Sequence, residues 1–429
     1  MAVVGKKLHK RLQWRGTSIR RFGLPIADQF ASTLGNFLVA IVAARLLTKV
    51  GFGAFSIAYT VYILVIVVIQ GTVGHIVLSR LTPDSDAARP LWPAVLGITA
   101  IAGLIAAGAS AAIGAAIGGQ AGDALIAMAI VLPGLAIQDV LRYCFISSER
   151  PSAAFANDFL WLIAILPAME LTHQFFTTSG SSLILAWGLT GVFAGFVGCL
   201  WGRVLPHPAR GLAWIRANRH LALPYFGEVL CVSGSQQIAL LALAPIAGIM
   251  AVAATRGVFV LFGPLTVFAS GLVLALIPDA SRLRSLPREL SRRIVVSSCL
   301  IFLATMVWTG IGYVIPATAG EELLGQTWPS ARPLILAAGL GFAVSAAMVG
   351  PVSGLRALRA SRHSLNARMW TLPLMLLFSL SFAALWGAQG FVIGSTIEST
   401  ISLVLVGLAF RRANSASGNL REQLYLPLD

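Results

Sequence analysis

The stretch LWPAVLGITAIAGLIAAGASAAIGAAIG, from Leu91 to Gly118, contains no charged residue and no alternation of polar and apolar positions. An apolar run of about 20 residues crosses a bilayer as an α-helix, because a helix satisfies its backbone polar groups within one segment. A membrane β-barrel would require alternating polar and apolar residues. The stretch therefore predicts a transmembrane helix.

The whole chain has the same character. Of its 429 residues, 57% are hydrophobic and 11% are charged, and the mean hydropathy is +0.84. A soluble domain carries roughly 25% charged residues. The net charge of +15 comes from short basic clusters between apolar runs, with no recurring basic and aromatic platform, so nucleic acid is not expected as a partner.

Apolar stretches between the charge clusters predict an all-α polytopic membrane protein with about twelve transmembrane helices. The last two are separated by a turn at Gly387 to Gly390. The predicted spans are 22–47, 52–79, 91–118, 122–146, 153–175, 181–202, 223–251, 256–280, 293–317, 333–355, 367–387 and 388–410.

Basic residues predict the orientation, since Lys and Arg are retained in short cytoplasmic loops. With both termini inside, 27 of the 31 Lys and Arg residues lie on the cytoplasmic side, and the other four are Arg45, Lys49, Arg256 and Arg332. A wrong number of helices would scramble this bias. The charges thus predict an N-in, C-in protein.

Two lobes of six helices are expected. A basic, Pro-containing linker at 204–221 separates the predicted N-lobe, 22–203, from the C-lobe, 222–411, with cytoplasmic tails at 1–21 and 412–429. A shift of about 200 residues aligns Asp28 with Glu228 and Asn36 with Gln236. This alignment favours pseudo-symmetric repeats, a common plan in transporters.

The sequence contains no recognisable catalytic motif. No soluble stretch exceeds about 20 residues, and no protease, hydrolase, nucleotide-binding or metal-binding motif occurs in a fitting context. We therefore expect no catalytic residues, no metal and no cofactor. The four cysteines lie in or beside predicted spans and are expected to be buried apolar residues.

Ionisable and amide groups inside the membrane are costly, so each is a candidate for function. Hydrogen bonds or salt bridges between helices are the structural alternative for all of them. In the N-lobe, Asp139 and Arg142 are three residues apart on one helix, where they can pair. The candidate residues of the N-lobe are Asp28, Asn36, Arg45, Asp139, Arg142, Asp158 and Trp161.

In the C-lobe, Glu398 is the candidate for ion coupling, because no basic residue lies within a helical turn of it. Arg45 and Arg256, at predicted outer helix ends, could bind a phosphate or snorkel to lipid headgroups. The other candidates of the C-lobe are Glu228, Gln236, Gln237 and Arg256.

Two stretches carry a resemblance to a known family. The first, Asp28 to Tyr62, has Asn36-Phe37, Ala44-Arg45-Leu46 and Phe52-Gly53-Ala54-Phe55. It resembles the opening of the polysaccharide transporter branch of the multidrug/oligosaccharidyl-lipid/polysaccharide (MOP) flippase superfamily. The second, Leu132 to Trp161, is similar to actinobacterial exporters of O-antigen or teichoic acid.

The resemblance implies two lobes that rock about a central cavity and move lipid-linked saccharides to the outer leaflet. It implies a cationic cavity for the lipid phosphate, with Arg45 and Arg142 at the matching basic positions. A flippase in the bacterial inner membrane is expected, with a lipid-linked saccharide, membrane lipids and glycan polymerase or ligase machinery as partners. The alternatives are a cation-coupled multidrug or metabolite antiporter of the same superfamily and a membrane-embedded glycan polymerase or ligase.

Overall fold

The computed structural model describes residues 34–80, 89–148, 150–266, 276, 280–283, 286–358 and 360–424. Every regular element in this part of the chain is a helix, which confirms the predicted all-α class. In chain order the helices are α1 (Leu34–Leu46), α2 (Lys49–Val77), α3 (Arg89–Ile117), α4 (Gly119–Ser147), α5 (Pro151–Phe175), α6 (Gly180–Gly202), α7 (Pro208–Ala217), α8 (Arg219–Ala247), α9 (Ile249–Leu261), α10 (Pro287–Val314), α11 (Ala317–Ala357) and α12 (Leu365–Ala416).

The number of membrane passes agrees with the prediction. Among the described residues, nine helices are long and apolar enough to cross a membrane, and α1 and α9 are shorter apolar helices. The 52 residues of α12 exceed two bilayer crossings, and the helix is interrupted at Trp386 and Gly387, where the φ of Gly387 is +58°. This kink lies where the sequence predicts the turn between the last two spans.

One predicted boundary is wrong by several residues. The sequence suggests spans at 223–251 and 256–280, whereas the helix break falls at Gly248, whose φ is +83°. A glycine with positive φ ends a helix without a steric penalty. Arg256 consequently lies within α9 instead of at a helix boundary.

The described residues form two compact units. One contains residues 34–40 and Val65–Phe226, and the other contains Ile41–Leu64 and residues 227–424. Each unit groups the residues that contact one another most. The lobe boundaries at 22–203 and 222–411 stay a prediction.

Close helix packing in the first unit depends on glycines. A Cβ on Gly114 of α3 would lie 2.7 Å from the carbonyl oxygen of Gly122 on α4, so the two backbones touch. Small residues permit such approach between membrane helices, where packing replaces the hydrophobic driving force. Glycines on one face of α6 make room for side chains of α4, such as Val131 and Leu135, and of α5; they are Gly188, Gly191, Gly195 and Gly198.

In the second unit, α10, α11 and α12 share a core that includes Ile294, Leu355 and Phe410. The Asn414 side-chain Nδ2 closes one end of this core. It donates to the carbonyl oxygen of Pro287 and to Ser291 Oγ, both at 2.9 Å. These bonds fix the late part of α12 to the start of α10.

Candidate functional site

A buried polar cluster lies inside the first unit. We call it the Asp139 cluster, and its members come from α2, α4 and α5: Gln70, Gln138, Asp139, Arg142, Asn157 and Asp158. The four residues Gln138, Asp139, Asn157 and Asp158 are each no more than 4% exposed, and Arg142 is 6% exposed. Charged side chains this deep in a protein are rare unless they are paired.

Hydrogen bonds connect side chains of the cluster with one another and with a fourth helix, α6. Gln70 Nε2 donates to both carboxylate oxygens of Asp139, at 3.0 and 3.1 Å. Gln138 Nε2 donates to Asp158 Oδ1 at 2.8 Å, and Asn157 Nδ2 donates to the carbonyl oxygen of Ala194 on α6 at 2.7 Å. Arg142 forms an ion pair with Asp158. The cluster therefore joins α2, α4, α5 and α6.

The Asp139 cluster contains more acidic groups than basic groups. The two carboxylates of Asp139 and Asp158 share the neighbourhood of one guanidinium, since Arg142 also acts electrostatically on Asp139. With all three groups ionised, the cluster has one excess negative charge. A proton or a small cation held there would balance it.

Gln70 of this cluster lies at the start of a π-helical turn. Residues Gln70–Gly74 interrupt the α-helical part of α2, and Gly74 allows the ring of Tyr143 to lie 3.1 Å from where its Cβ would be. Such π-bulges often mark functional sites in membrane helices. Two more occur in the second unit, at Leu230–Gly234 and Leu376–Leu380.

The second unit contains a polar cavity of about 350 Å³. Helices α8, α9, α10, α11 and α12 contribute to it. Its polar lining consists of Ser235, Gln236, Thr266, Thr305, Ser345, Arg368, Thr371, Ser395, Glu398 and Ser399. We call it the Glu398 cavity.

Glu398 is only 6% exposed, although it lines this cavity. Ser402 Oγ donates to its Oε1 at 2.6 Å, and Ser399 Oγ donates to its Oε2 at 3.4 Å. Arg368, which lies elsewhere in α12, acts electrostatically on the carboxylate. No basic residue lies within a helical turn of Glu398, as noted in the sequence, and the fold brings Arg368 into the lining of the same cavity.

The structure places several other candidates away from these two sites. Arg256 lies over the ring of Tyr59, 4.9 Å from its centroid, which is a cation–π contact. Arg45 is exposed, and Glu228 is exposed but acts electrostatically on Arg368, which lines the Glu398 cavity. Asp28 lies outside the described residues.

The remaining candidates occupy intermediate positions. Gln236 lines the Glu398 cavity, and Gln237 and Asn36 are half-buried. Trp161 Nε1 donates to the carbonyl oxygen of Trp187 on α6 at 3.4 Å, and Trp161 lies on α5 about one helical turn after Asn157 and Asp158. Sequence analysis missed Gln70, Gln138, Arg368 and Ser402. For Gln70 and Gln138, the sequence offered one signal, which is a glutamine inside an apolar run.

No group of three or more His, Cys, Asp or Glu side chains in the described part of the chain could hold a metal ion. The chemistry that the described residues of the two sites show is charge pairing and hydrogen bonding.

Among the comparisons with known proteins, only the comparison with solved structures finds similar proteins. No family model and no curated protein matches the chain. An inward-facing multidrug resistance MATE family transporter of the MOP superfamily is similar, with a TM-score of 0.67 and 14% identity over 90% of this chain and 96% of that one. The lipid II flippase MurJ, in an inward closed conformation, gives 0.69 and 10% over 95% and 93%.

A eukaryotic MATE transporter is also similar, with a TM-score of 0.58 and 13% identity over 95% of this chain and 99% of that one. The chain has the fold of these transporters. The likeness confirms the helical fold class expected from the sequence and its multi-pass character. The polysaccharide branch of the superfamily stays a prediction.

Proposed function

We propose that this protein is a flippase that moves a polyprenyl-linked saccharide or a related cell-envelope glycolipid across the bacterial inner membrane by alternating access. It acts as a carrier and not as an enzyme. Its partners are the lipid-linked substrate, the surrounding membrane lipids, and the polymerase or ligase machinery that receives the substrate.

The observation that carries this proposal is the similarity to MurJ, which spans 95% of the chain with a TM-score of 0.69. That protein is a lipid II flippase, so the same fold accommodates a lipid-linked saccharide. The motifs around Asn36 and Arg45 support the same substrate class through the resemblance of Asp28 to Tyr62 to polysaccharide transporters.

Arg45 is the candidate of the family motif that is suited to contact the phosphate of the transported lipid. It is exposed and forms no ion pair within the described residues, so its planar guanidinium is free to make two charge-assisted hydrogen bonds. Arg142 is less suited to direct contact, since it is buried against Asp158. We propose a structural role for Arg142 and a substrate role for Arg45.

A flipping assay in proteoliposomes tests the proposal. The purified chain is reconstituted with a fluorescent polyprenyl-pyrophosphate saccharide, and the fraction accessible to a membrane-impermeant quencher is followed over time. We expect flipping that empty liposomes lack. Arg45→Gln should slow it by about tenfold, because a charge-assisted hydrogen bond contributes about 1.5–3 kcal/mol.

Arg332→Gln is the matched control, since Arg332 is also exposed and predicted to be outside. It should flip at the wild-type rate. Equal accessibility in protein-containing and empty liposomes would overturn the flippase assignment. Equal slowing by both substitutions would overturn the role of Arg45.

A cation-coupled antiporter of drugs or metabolites is the second candidate function. The Glu398 cavity favours it, because a buried carboxylate among hydroxyl groups can exchange a proton or a small cation during a transport cycle. In this case a proton or sodium gradient would drive efflux of a cationic dye from proteoliposomes. Glu398→Gln should remove the gradient dependence, whereas Glu289→Gln, at the exposed start of α10, should keep it.

A further inference from the structure

Three arginines from separate connections meet in a second pocket of the first unit. Arg89 begins α3, Arg150 precedes α5 and Arg203 follows α6, and all three line a cavity of about 420 Å³. This volume is within the roughly 300–1,000 Å³ range of small-molecule sites. The charge pattern of the sequence predicts all three arginines on the cytoplasmic side.

The charged side chains in the described lining of the pocket are all basic. None of its described lining residues is acidic, and none of the three arginines forms an ion pair within the described part of the chain. Three guanidinium groups around one cavity repel one another, so an anion bound between them would lower the energy. Arginine forks match the oxygens of a phosphate.

The walls of the pocket are fixed by aromatic contacts. Arg150 lies over the ring of Phe145, 5.7 Å from its centroid, and Phe145 meets Trp92 edge-on at 5.3 Å. A Cβ on Gly202 would lie 2.8 Å from the Trp92 ring, so this glycine lets the indole pack against the end of α6. Trp92 is 2% exposed, and its indole N–H has no hydrogen-bond partner among the described residues. Its ring is therefore held mainly by packing against Phe145 and Gly202.

The backbone at Arg203 adds an independent indication. Its φ is +50°, and it is the one non-glycine residue with a positive φ in the described chain. This conformation costs about 1 kcal/mol for a residue with a Cβ, and glycine or asparagine usually occupies it. Arg203 ends α6 in this conformation, where a glycine would end the helix at lower cost but without a guanidinium group.

We propose that Arg89, Arg150 and Arg203, with Trp92 as the wall between them, form a phosphate-binding site on the cytoplasmic side of the first unit. Its ligand carries a phosphate or pyrophosphate group, either on the headgroup of an anionic lipid or on a soluble compound. The site is separate from the Asp139 cluster and the Glu398 cavity, and it does not depend on the proposed transport function.

Native mass spectrometry of the full chain in detergent tests this assignment. One titration uses a short-chain phosphatidylglycerol and the other uses inorganic pyrophosphate. We expect at least one of them to bind. The triple variant Arg89→Gln/Arg150→Gln/Arg203→Gln should weaken that binding by at least about tenfold, the effect of losing one charge-assisted contact.

The matched control is Arg210→Gln/Arg216→Gln/Arg219→Gln. These three arginines are exposed in the same unit, on α7 and the start of α8, and lie outside the pocket. The control removes the same charge and should change binding by less than about twofold, as expected for diffuse surface charges. If only the lipid binds, the ligand is a lipid headgroup. If pyrophosphate binds as well, the site recognises the phosphate group itself.

A single variant distinguishes a loss of binding from a loss of folding. Arg203→Gly suits the local backbone, so its melting temperature should equal or exceed that of the wild type while its binding weakens. Three results would overturn the site: a wild-type protein that binds neither probe, equal weakening in the two triple variants, or wild-type affinity in Arg203→Gly.

Discussion

Arg142 and Asp158 form an ion pair between α4 and α5, and both side chains are almost completely buried. Burying a charge costs several kcal/mol, which a close partner and additional hydrogen bonds offset. Gln138 supplies one of these hydrogen bonds to Asp158. The loss of one member therefore leaves an uncompensated charge in the interior.

The first prediction concerns this pair. Arg142→Gln should destabilise the protein by about 3–5 kcal/mol, because it leaves both Asp139 and Asp158 without their guanidinium. The measurement is thermal unfolding of the purified protein in detergent. Arg216→Gln, an exposed arginine on α7, serves as the control and should melt with the wild type.

The double variant Arg142→Gln/Asp158→Asn separates a structural role from a transport role. If the pair is structural, the double variant should recover part of the lost stability, and transport should recover with it. Recovery of stability without recovery of transport would instead place Arg142 in the transport cycle. An Arg142→Gln protein that melts like the wild type would contradict the argument from burial.

At the scale of elements, the contact between α3 and α4 depends on the missing side chain at Gly114. A Cβ there would lie 2.7 Å from a backbone carbonyl oxygen, which cannot rotate away as a side chain could. One of the two helices would have to shift. Gly108 lies on the same helix, and no atom comes within 4 Å of its hypothetical Cβ.

Gly114→Ala should therefore destabilise the protein by about 1–3 kcal/mol, the usual effect of overpacking. Gly108→Ala should be neutral or stabilise the protein by up to about 1 kcal/mol, because alanine has the higher helix propensity. Melting temperatures of the two variants in the same detergent provide the comparison. Similar values for both would show that α3 and α4 are less tightly packed than the structure indicates.

At the scale of the whole molecule, the distribution of basic residues predicts the orientation in the membrane. The exposed arginines of α7 belong to a connection predicted to be cytoplasmic, and the segment from Ala317 to Leu324 belongs to a connection predicted to be outside. The latter segment is helical, although the sequence suggests a loop.

Reporter fusions test this orientation. Green fluorescent protein fused after Asn218 should fluoresce, because it folds in the cytoplasm, and alkaline phosphatase fused after Gln326 should be active, because it folds outside. The reciprocal fusions should give low signals. The opposite pattern would reverse the predicted topology, since positively charged short loops determine it.

The sequence by itself determined the fold class, the approximate positions of the membrane passes and the turn at Gly387. It could do so because the bilayer imposes a long apolar run on every pass, and each run is a local property of the chain. Boundaries such as Gly248 were less certain, since the chain has 42 glycines and only some adopt a positive φ. The sequence also singled out Asp139, Arg142, Asp158 and Glu398 as costly groups inside the membrane.

Only the tertiary structure decided which partners these groups have. Gln70 meets Asp139 from another helix, 69 positions earlier in the chain, and Arg368 lines the same cavity as Glu398, 30 positions later, although no basic residue lies within a helical turn of Glu398. Arg89, Arg150 and Arg203 are likewise distant in sequence and share one pocket. Helix packing sets these distances, and it depends on backbone contacts such as that of Gly114 with Gly122, which no local pattern in the chain specifies.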